Sequence, residues 1–389
     1  MLHAARHTVT RARARVCARP QVWYGGHRVW YGLLFLWLVV AVNVTVLNRS
    51  RAVHPALTRA CYAQSDKGAH PRNTCCRMLN YTRGDVTACV RNAATAFSLT
   101  QSARSHFHSP NEYLVRFKPN TMVHGGSESG APQSFPGWAW VVAGDSRMRQ
   151  IFSALVTRLS SPRLKYKKPS TRGKWRSVHE LLEPLRIGKL HEDIELYHMD
   201  LPLRLLFFWD PQLLRMPKMV QEWMSYNSTP PSLLVLGTSL HWMKGNLDKY
   251  RTSGPEAAME DFQEHMKTFI PQLDQLAASS NIVIQLQDHI QESHIYSEYQ
   301  GIYSNQNIER YNNYFRSITS TTKLTLWDSN IPFSEAYFSE CRKNNRNSLD
   351  KTWNCDNPLH TGYIMVEKYA NMILNDVCNP YLQLGETFC

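Results

Sequence analysis

An apolar run, Trp138-Ala139-Trp140-Val141-Val142-Ala143, ends abruptly in Gly144-Asp145-Ser146, and a helical pattern starts at once. Met148, Ile151, Phe152, Leu155, Val156 and Leu159 recur at i, i+3, i+4, i+7, i+8 and i+11, which is one face of a helix. A buried strand, a tight turn and an amphipathic helix predict the first β–α unit of an open α/β sheet. Such folds keep their chemistry at the carboxyl ends of the strands. Ser146 falls at that edge and at a helix N-terminus, where unpaired N–H groups favour a developing negative charge. Two roles are open there: Ser146 as a nucleophile, or Asp145 and Ser146 as ordinary helix caps.

The alternation continues along the chain. Segments 194–199, 203–209, 233–237, 281–286 and 323–328 are rich in apolar and β-branched residues and predict strands. Residues 255–278 predict a helix, with Met259, Phe262, Met266, Phe269, Ile270, Leu273 and Leu276 on its apolar face and a kink at Pro271. Ile308, Tyr311, Phe315 and Ile318 mark another helix, and 361–377 a closing one. The expectation is an α/β fold with a doubly wound, mostly parallel sheet covered on both faces. A basic run holding Arg158, Arg163, Lys165, Lys167, Lys168, Arg172, Lys174 and Arg176 is broken by Pro162, Pro169 and Gly173. It predicts a loop, either merely solvated or meeting an anionic glycan or a phosphate-bearing acyl donor.

The lead-in has its own character. Residues 1–28 carry Arg6, Arg11, Arg13, Arg15, Arg19 and Arg28 and no acidic residue. Residues 29–47 are apolar, close to the roughly 20 residues that span a bilayer. A basic tail before such a stretch predicts a single-pass signal anchor with residues 1–28 cytosolic, a cleaved signal peptide being the rival. The remainder then lies in a lumen or outside the cell. A Golgi membrane in type II orientation is the expected location, with the cell surface open. Residues 48–136 predict a stem and cysteine-rich lead, and 137–389 the lumenal catalytic domain. The net charge of +13 is concentrated in the tail and the basic run, which argues against nucleic acid.

Cys61, Cys75, Cys76, Cys89, Cys341, Cys355, Cys378 and Cys389 form an even lumenal set, as an oxidising compartment would pair. They include no Cys-x-x-Cys pair, and no metal site is expected. The sequons at Asn48, Asn80 and Asn227 fit the same topology.

A nucleophilic serine needs a base and a group to orient that base. Cys355-Asp356-Asn357-Pro358-Leu359-His360 follows the last predicted strand, and a doubly wound sheet returns that loop to the edge holding Ser146. His360 is the candidate base, with Asp356 as its orienting carboxylate.

Gly144-Asp145-Ser146, the middle block Leu234-Val235-Leu236-Gly237-Thr238-Ser239-Leu240-His241-Trp242 and the terminal Asp356-to-His360 block resemble the PC-esterase branch of the SGNH hydrolase and acyltransferase clan. That branch includes plant trichome-birefringence-like polysaccharide O-acetyltransferases and sialic-acid O-acetyltransferases. The resemblance covers about residues 136–379. It implies an SGNH-like sheet and a Ser146–His360–Asp356 acyl-enzyme mechanism, with the oxyanion held near the Ser146 N–H and Gly237. Gly144, Asp145, Gly237, Thr238, Ser239, His241 and Trp242 are the implied oxyanion and substrate-binding positions. No bound cofactor is implied. The acyl donor would be acetyl-CoA or another acetyl carrier, and the acceptor a glycan or glycoconjugate. Two departures stand out. The spacing is Asp-x-x-x-His, so Asn357 occupies the usual Asp offset, and Gly237 stands where relatives often have an oxyanion-binding Asn. A lumenal esterase and an inactive glycan-binding relative are the alternatives. Gln285, Gln287, Asp288 and His289 share the predicted reactive edge, as substrate contacts or as surface-loop residues.

Overall fold

Strand β1 (Trp138–Gly144) is a run of apolar side chains with no polar face, so it can lie only inside a sheet covered on both sides. The computed structural model, which describes residues 78–93, 95, 138–168, 175–225, 228–343 and 351–382, places it there. β1 pairs in parallel with β5 (Leu203–Trp209) on one side and with β6 (Leu233–Gly237) on the other. β7 (Asn281–Gln285) and β8 (Thr325–Trp327) extend the parallel set beyond β6. Counted in chain order, these five parallel strands lie 2-1-3-4-5, the order of a doubly wound sheet. The chain leaves β1 toward β5 and returns past it to β6. The crevice at the carboxyl ends of β1 and β6 is therefore the topological switch point.

The other half of the sheet departs from the parallel expectation. β4 (Ile194–His198) runs antiparallel to β5, and β2 (Leu164–Lys167) antiparallel to β4. A two-residue β3 (Arg176–Ser177) closes that edge, so the sheet is mixed, with eight strands. Part of the basic run is thus strand: Leu164 and Tyr166 turn into the core while Lys165 and Lys167 turn outward. Three of its charges are paired, Arg163 with Asp200, Lys167 with Glu195 and Lys168 with Glu192. Charged, outward-facing residues also suit an edge that must not pair with another chain.

Helices cover both faces. On one lie α2 (Ser146–Leu159), α3 (His179–Arg186), α9 (Tyr363–Cys378) and a helix α1 at 83–93. The apolar stripe predicted for α2 is buried along its length, with Phe152 stacked on Phe207 of β5. On the other face lie α4 (Met216–Met224), α5 (Leu240–Gly245), α6 (Leu247–Leu276) and α7 (Asn305–Thr319). α8 (Asn330–Lys343) follows β8 and contributes Ile331 to one layer and Tyr337 and Phe338 to the other. In α6 the helical backbone breaks at Gly254 rather than at Pro271. Gly254 has φ 85°, which L side chains resist, and Pro255 restarts the helix at a position needing no N–H partner.

Part of the segment read as a stem belongs to the core. Tyr81, Val86, Cys89 and Val90 are buried against α9 and its neighbours. The Tyr81 hydroxyl donates to Asn379 Oδ1, and Arg158 donates through Nη1 to the Tyr81 carbonyl. Cys89–Cys378 joins this helix to α9 across 289 residues, and Cys341–Cys355 joins α8 to the loop that carries His360. Both disulfides fit an oxidising compartment. Residues 1–28, the apolar stretch 29–47, most of 48–136, Asn48, Asn227, Cys61, Cys75, Cys76 and Cys389 lie outside the described residues. Among the described residues no helix is long and apolar enough to cross a membrane.

Candidate active site

Three strand ends are level at the switch point, because Gly144 is in register with both Trp209 of β5 and Gly237 of β6. The turn into α2 starts from Gly144, whose φ of 143° lies where a side chain is strained. A Cβ on Gly144 would sit 2.1 Å from the Gly237 carbonyl oxygen. Asp145 is the N-cap: its carboxylate accepts from the Arg147 N–H at 2.9 Å and lies 3.5 Å from Arg147 Nε. With Asp145 capping, Ser146 has no capping bond to make, and its side chain is half-exposed at the edge.

Ser146 Oγ lies 2.5 Å from His360 Nε2, a contact that spans 214 residues of sequence. On the far side of the ring, His360 Nδ1 is 3.1 Å from Asn357 Oδ1. The same Oδ1 accepts from the backbone N–H of Leu359 at 3.0 Å and of His360 at 3.1 Å. Two backbone donors on one atom require that atom to be the amide oxygen, not the nitrogen. Nδ1 must then carry the proton and donate to Asn357, which leaves the lone pair of Nε2 facing Ser146. Ser146 O–H donates to Nε2, the polarity a general base needs.

A second Ser–His pair shows the opposite arrangement. His198 Nδ1 accepts from the Asp200 N–H at 3.2 Å, so its Nε2 is the protonated nitrogen facing Ser161 Oγ. That imidazole donates to its serine and has no lone pair with which to activate it.

Asp356 is not the residue at the imidazole. It is exposed, while Asn357 turns inward. The turn is set by Asn354, at φ 49°, whose carbonyl accepts from the Asn357 N–H at 3.1 Å. The orienting partner is therefore a neutral amide three residues before the histidine.

Burial is the main influence on His360, holding its pKa down to about 4, while the Asp145 carboxylate opposes this and Arg147, Arg149 and His241 reinforce it. The imidazole is a free base across the neutral range. Its ordinary value is near 6.5, so the unfolded chain protonates first as pH falls. This histidine's contribution to stability is full above about 6.5 and is lost as pH falls toward 4. Modification of Ser146 by a fluorophosphonate should likewise persist in mild acid and decline only toward pH 4. Asn357→Asp should move that decline upward, because a carboxylate at Nδ1 stabilises the imidazolium. A wild-type decline centred at 6.5, or no movement in Asn357→Asp, would contradict the geometry.

The oxyanion positions sort themselves by their hydrogen bonds. Thr238 Oγ1 donates to the Pro211 carbonyl at 2.5 Å, and Ser239 Oγ donates to the Thr238 carbonyl. Both hydroxyl protons are engaged, so neither is free for an oxyanion. The Ser146 N–H, first in α2, has no partner among the described residues and points from the helix terminus. Gly237 lacks an Asn side chain because the space is filled. A Cβ there would meet Met148 Cε at 2.7 Å and Sδ at 2.9 Å, and Met148 is fully buried.

His241 stays at the site. Its ring is edge-on to Trp209 with centroids 6.0 Å apart, and it is charge-coupled to His360. Trp242 does not. It is buried against Phe262 and His265 in the opposite layer, as core. Gln285 and Gln287 are fully buried, and Asp288 accepts from Asn330 Nδ2 at 2.7 Å and the Tyr369 hydroxyl at 3.1 Å. His289 is held between Glu309 and Glu335. Gln285, Gln287 and Asp288 are interior framework, while His289 is partly exposed.

Three flanking residues had no sequence motif to mark them: Arg149, His191 and Trp209. Arg149 follows Ser146 by three residues on α2, and its guanidinium carbon lies 5.3 Å from the Trp209 ring centre. His191 packs on the same ring at 4.5 Å. Their available signals were helix spacing for Arg149 and a strand's carboxyl end for Trp209. No family model matches the chain, and no solved structure matches it.

Proposed function

We propose that this chain is a lumenal glycan O-acyltransferase, with acetyl as the expected group, built on an SGNH-like sheet and working through a Ser146 acyl-enzyme. The observation that carries the reading is the Ser146 Oγ to His360 Nε2 contact of 2.5 Å at the switch point of the sheet. His360 takes the serine proton as Oγ attacks the acyl carbonyl, and the oxyanion forms beside the Ser146 N–H at the positive end of α2. The imidazolium returns its proton to the departing group. A glycan hydroxyl then gives its proton to His360, attacks the acyl carbon and frees Ser146. The donor, acetyl-CoA or another acetyl carrier, is a substrate and not a resident cofactor. A Golgi membrane, reached through the apolar stretch 29–47, is the compartment in which such an enzyme would meet its acceptors.

An inactive glycan-binding relative is the reading favoured by Asn357, since an amide gives the imidazolium no countercharge. One experiment separates these readings. Purified full-length chain is treated with a fluorophosphonate, and in parallel with labelled acetyl-CoA and a panel of glycans. Labelling that disappears in Ser146→Ala, together with acetylated glycan, is the expected result. Donor hydrolysis with no glycan product assigns an esterase instead. Absence of Ser146-dependent labelling overturns the enzyme reading altogether.

A further inference from the structure

Several other arginines of this domain find acids: Arg158 pairs with Glu367, Arg204 with Glu195 and Arg215 with Asp193. Arg149 does not. It is 5 % exposed, its Nη1 donates to the Leu190 carbonyl at 3.0 Å, and its Nε is buried with no partner. Nη2 has no hydrogen-bond partner among the described residues either, and lies against Gly188, where a Cβ would come within 2.9 Å of it. The guanidinium carbon lies 5.3 Å from the Trp209 ring centre, within cation–π range. Asp145 is the acid that acts on it, and that carboxylate already serves the Arg147 N–H. Burial works against the charge on Arg149, so the folded protein holds an ill-compensated cation one helical turn from its nucleophile.

We propose that Arg149 is the seat for an anionic group, a carboxylate or a phosphate, on the molecule that brings an acyl group to Ser146 or takes it away. A planar guanidinium held by one bond, with its Nε and Nη2 donors unmatched, suits the paired oxygens of such a group. Gly188 places no side chain against Nη2. His191 and His241 complete a rim of nitrogen groups around Trp209, in which Asp145 is the acid already engaged. The role assigned to the anion rests on the acyl-transfer reading, whereas the binding itself does not.

The test measures binding without turnover. Full-length chain carrying Ser146→Ala is titrated by ligand-observed NMR with methyl glucuronide, methyl glucoside and inorganic phosphate. A preference of tenfold or more for glucuronide or phosphate over glucoside is expected, and Arg149→Gln should abolish it while leaving the glucoside affinity unchanged. A preference for glucuronide places the anion on the acceptor, and one for phosphate places it on the donor. Equal binding of all three, or a preference that survives Arg149→Gln, overturns the proposal. Should Arg149→Gln fail to melt cooperatively, Arg149→Lys carries the test: a reduced anion preference supports the seat, and an unchanged one overturns it. Loss of anion binding in Arg149→Gln with no Ser146 labelling in the wild type retains the seat and fails the acyl-transfer reading. The reverse result fails the seat and retains the chemistry.

Discussion

Ser146→Ala and His360→Ala should each lower acyl transfer by about 10³- to 10⁶-fold, and the double variant should be no worse than the stronger single one. On the acyl-enzyme reading the pair works as a unit. Without the imidazole the serine keeps its proton, and without the serine the imidazole has nothing to activate. What persists in either variant is binding and the N-terminal field of α2, which neither substitution removes. Asn357→Ala is expected to cost less, because it loosens the ring and frees two backbone N–H groups but leaves the base in place. The measurement is kcat/KM for one donor and acceptor across the four variants. Additive losses in the double variant would mean that Ser146 and His360 act separately, and the short contact between them would have no catalytic meaning.

The largest structural effect belongs to Gly144→Ala. The added methyl carbon would lie 2.1 Å from the Gly237 carbonyl oxygen and 2.7 Å from Met148 Cγ, at a φ of 143°. Met148 can turn aside, but the Gly237 carbonyl cannot, because β6 is held in register by β1 and β7. Relief requires prising the ends of two central strands apart, and the expected loss exceeds about 4 kcal/mol, beyond what most single changes cost. Gly237→Ala meets the Met148 side chain and no backbone, and should cost about 1–3 kcal/mol, the range for modest overpacking. Urea midpoints of the two variants check the contrast. Near-wild-type stability in Gly144→Ala would show that the two strand ends are not in the close approach described.

Much of this arrangement was legible because it rests on strong periodicities. β1 and α2 follow from an unbroken apolar run and a stripe at helical spacing, and the loop bearing His360 follows from the winding of the sheet. Other parts carried weaker signals. β2 and β3 lie within a run of lysines and arginines, and in β2 just two side chains, Leu164 and Tyr166, turn inward. Antiparallel pairing of β4 with β5 depends on a short connection between 198 and 203, a hairpin rather than a crossover. The exchange of Asp356 for Asn357 turned on one left-handed residue, Asn354, which composition does not announce. Trp242 shows the limit of a motif: the residue sits in the expected block, but α5 turns its side chain into the core. Arg149 and Trp209 become visible as neighbours only once β5 is placed beside β1.

Trp138, which opens β1, packs edge-on against Tyr381, near the end of the described chain, with centroids 4.8 Å apart. Seven residues of extended strand, roughly 20 Å, then separate that corner from the turn that presents Ser146. The start of β1 and Tyr381 therefore share one pole of the sheet, and the hydroxyl occupies the other. A substitution at the Trp138–Tyr381 contact therefore acts on the sheet from its far side, with the mouth of the crevice at the opposite end.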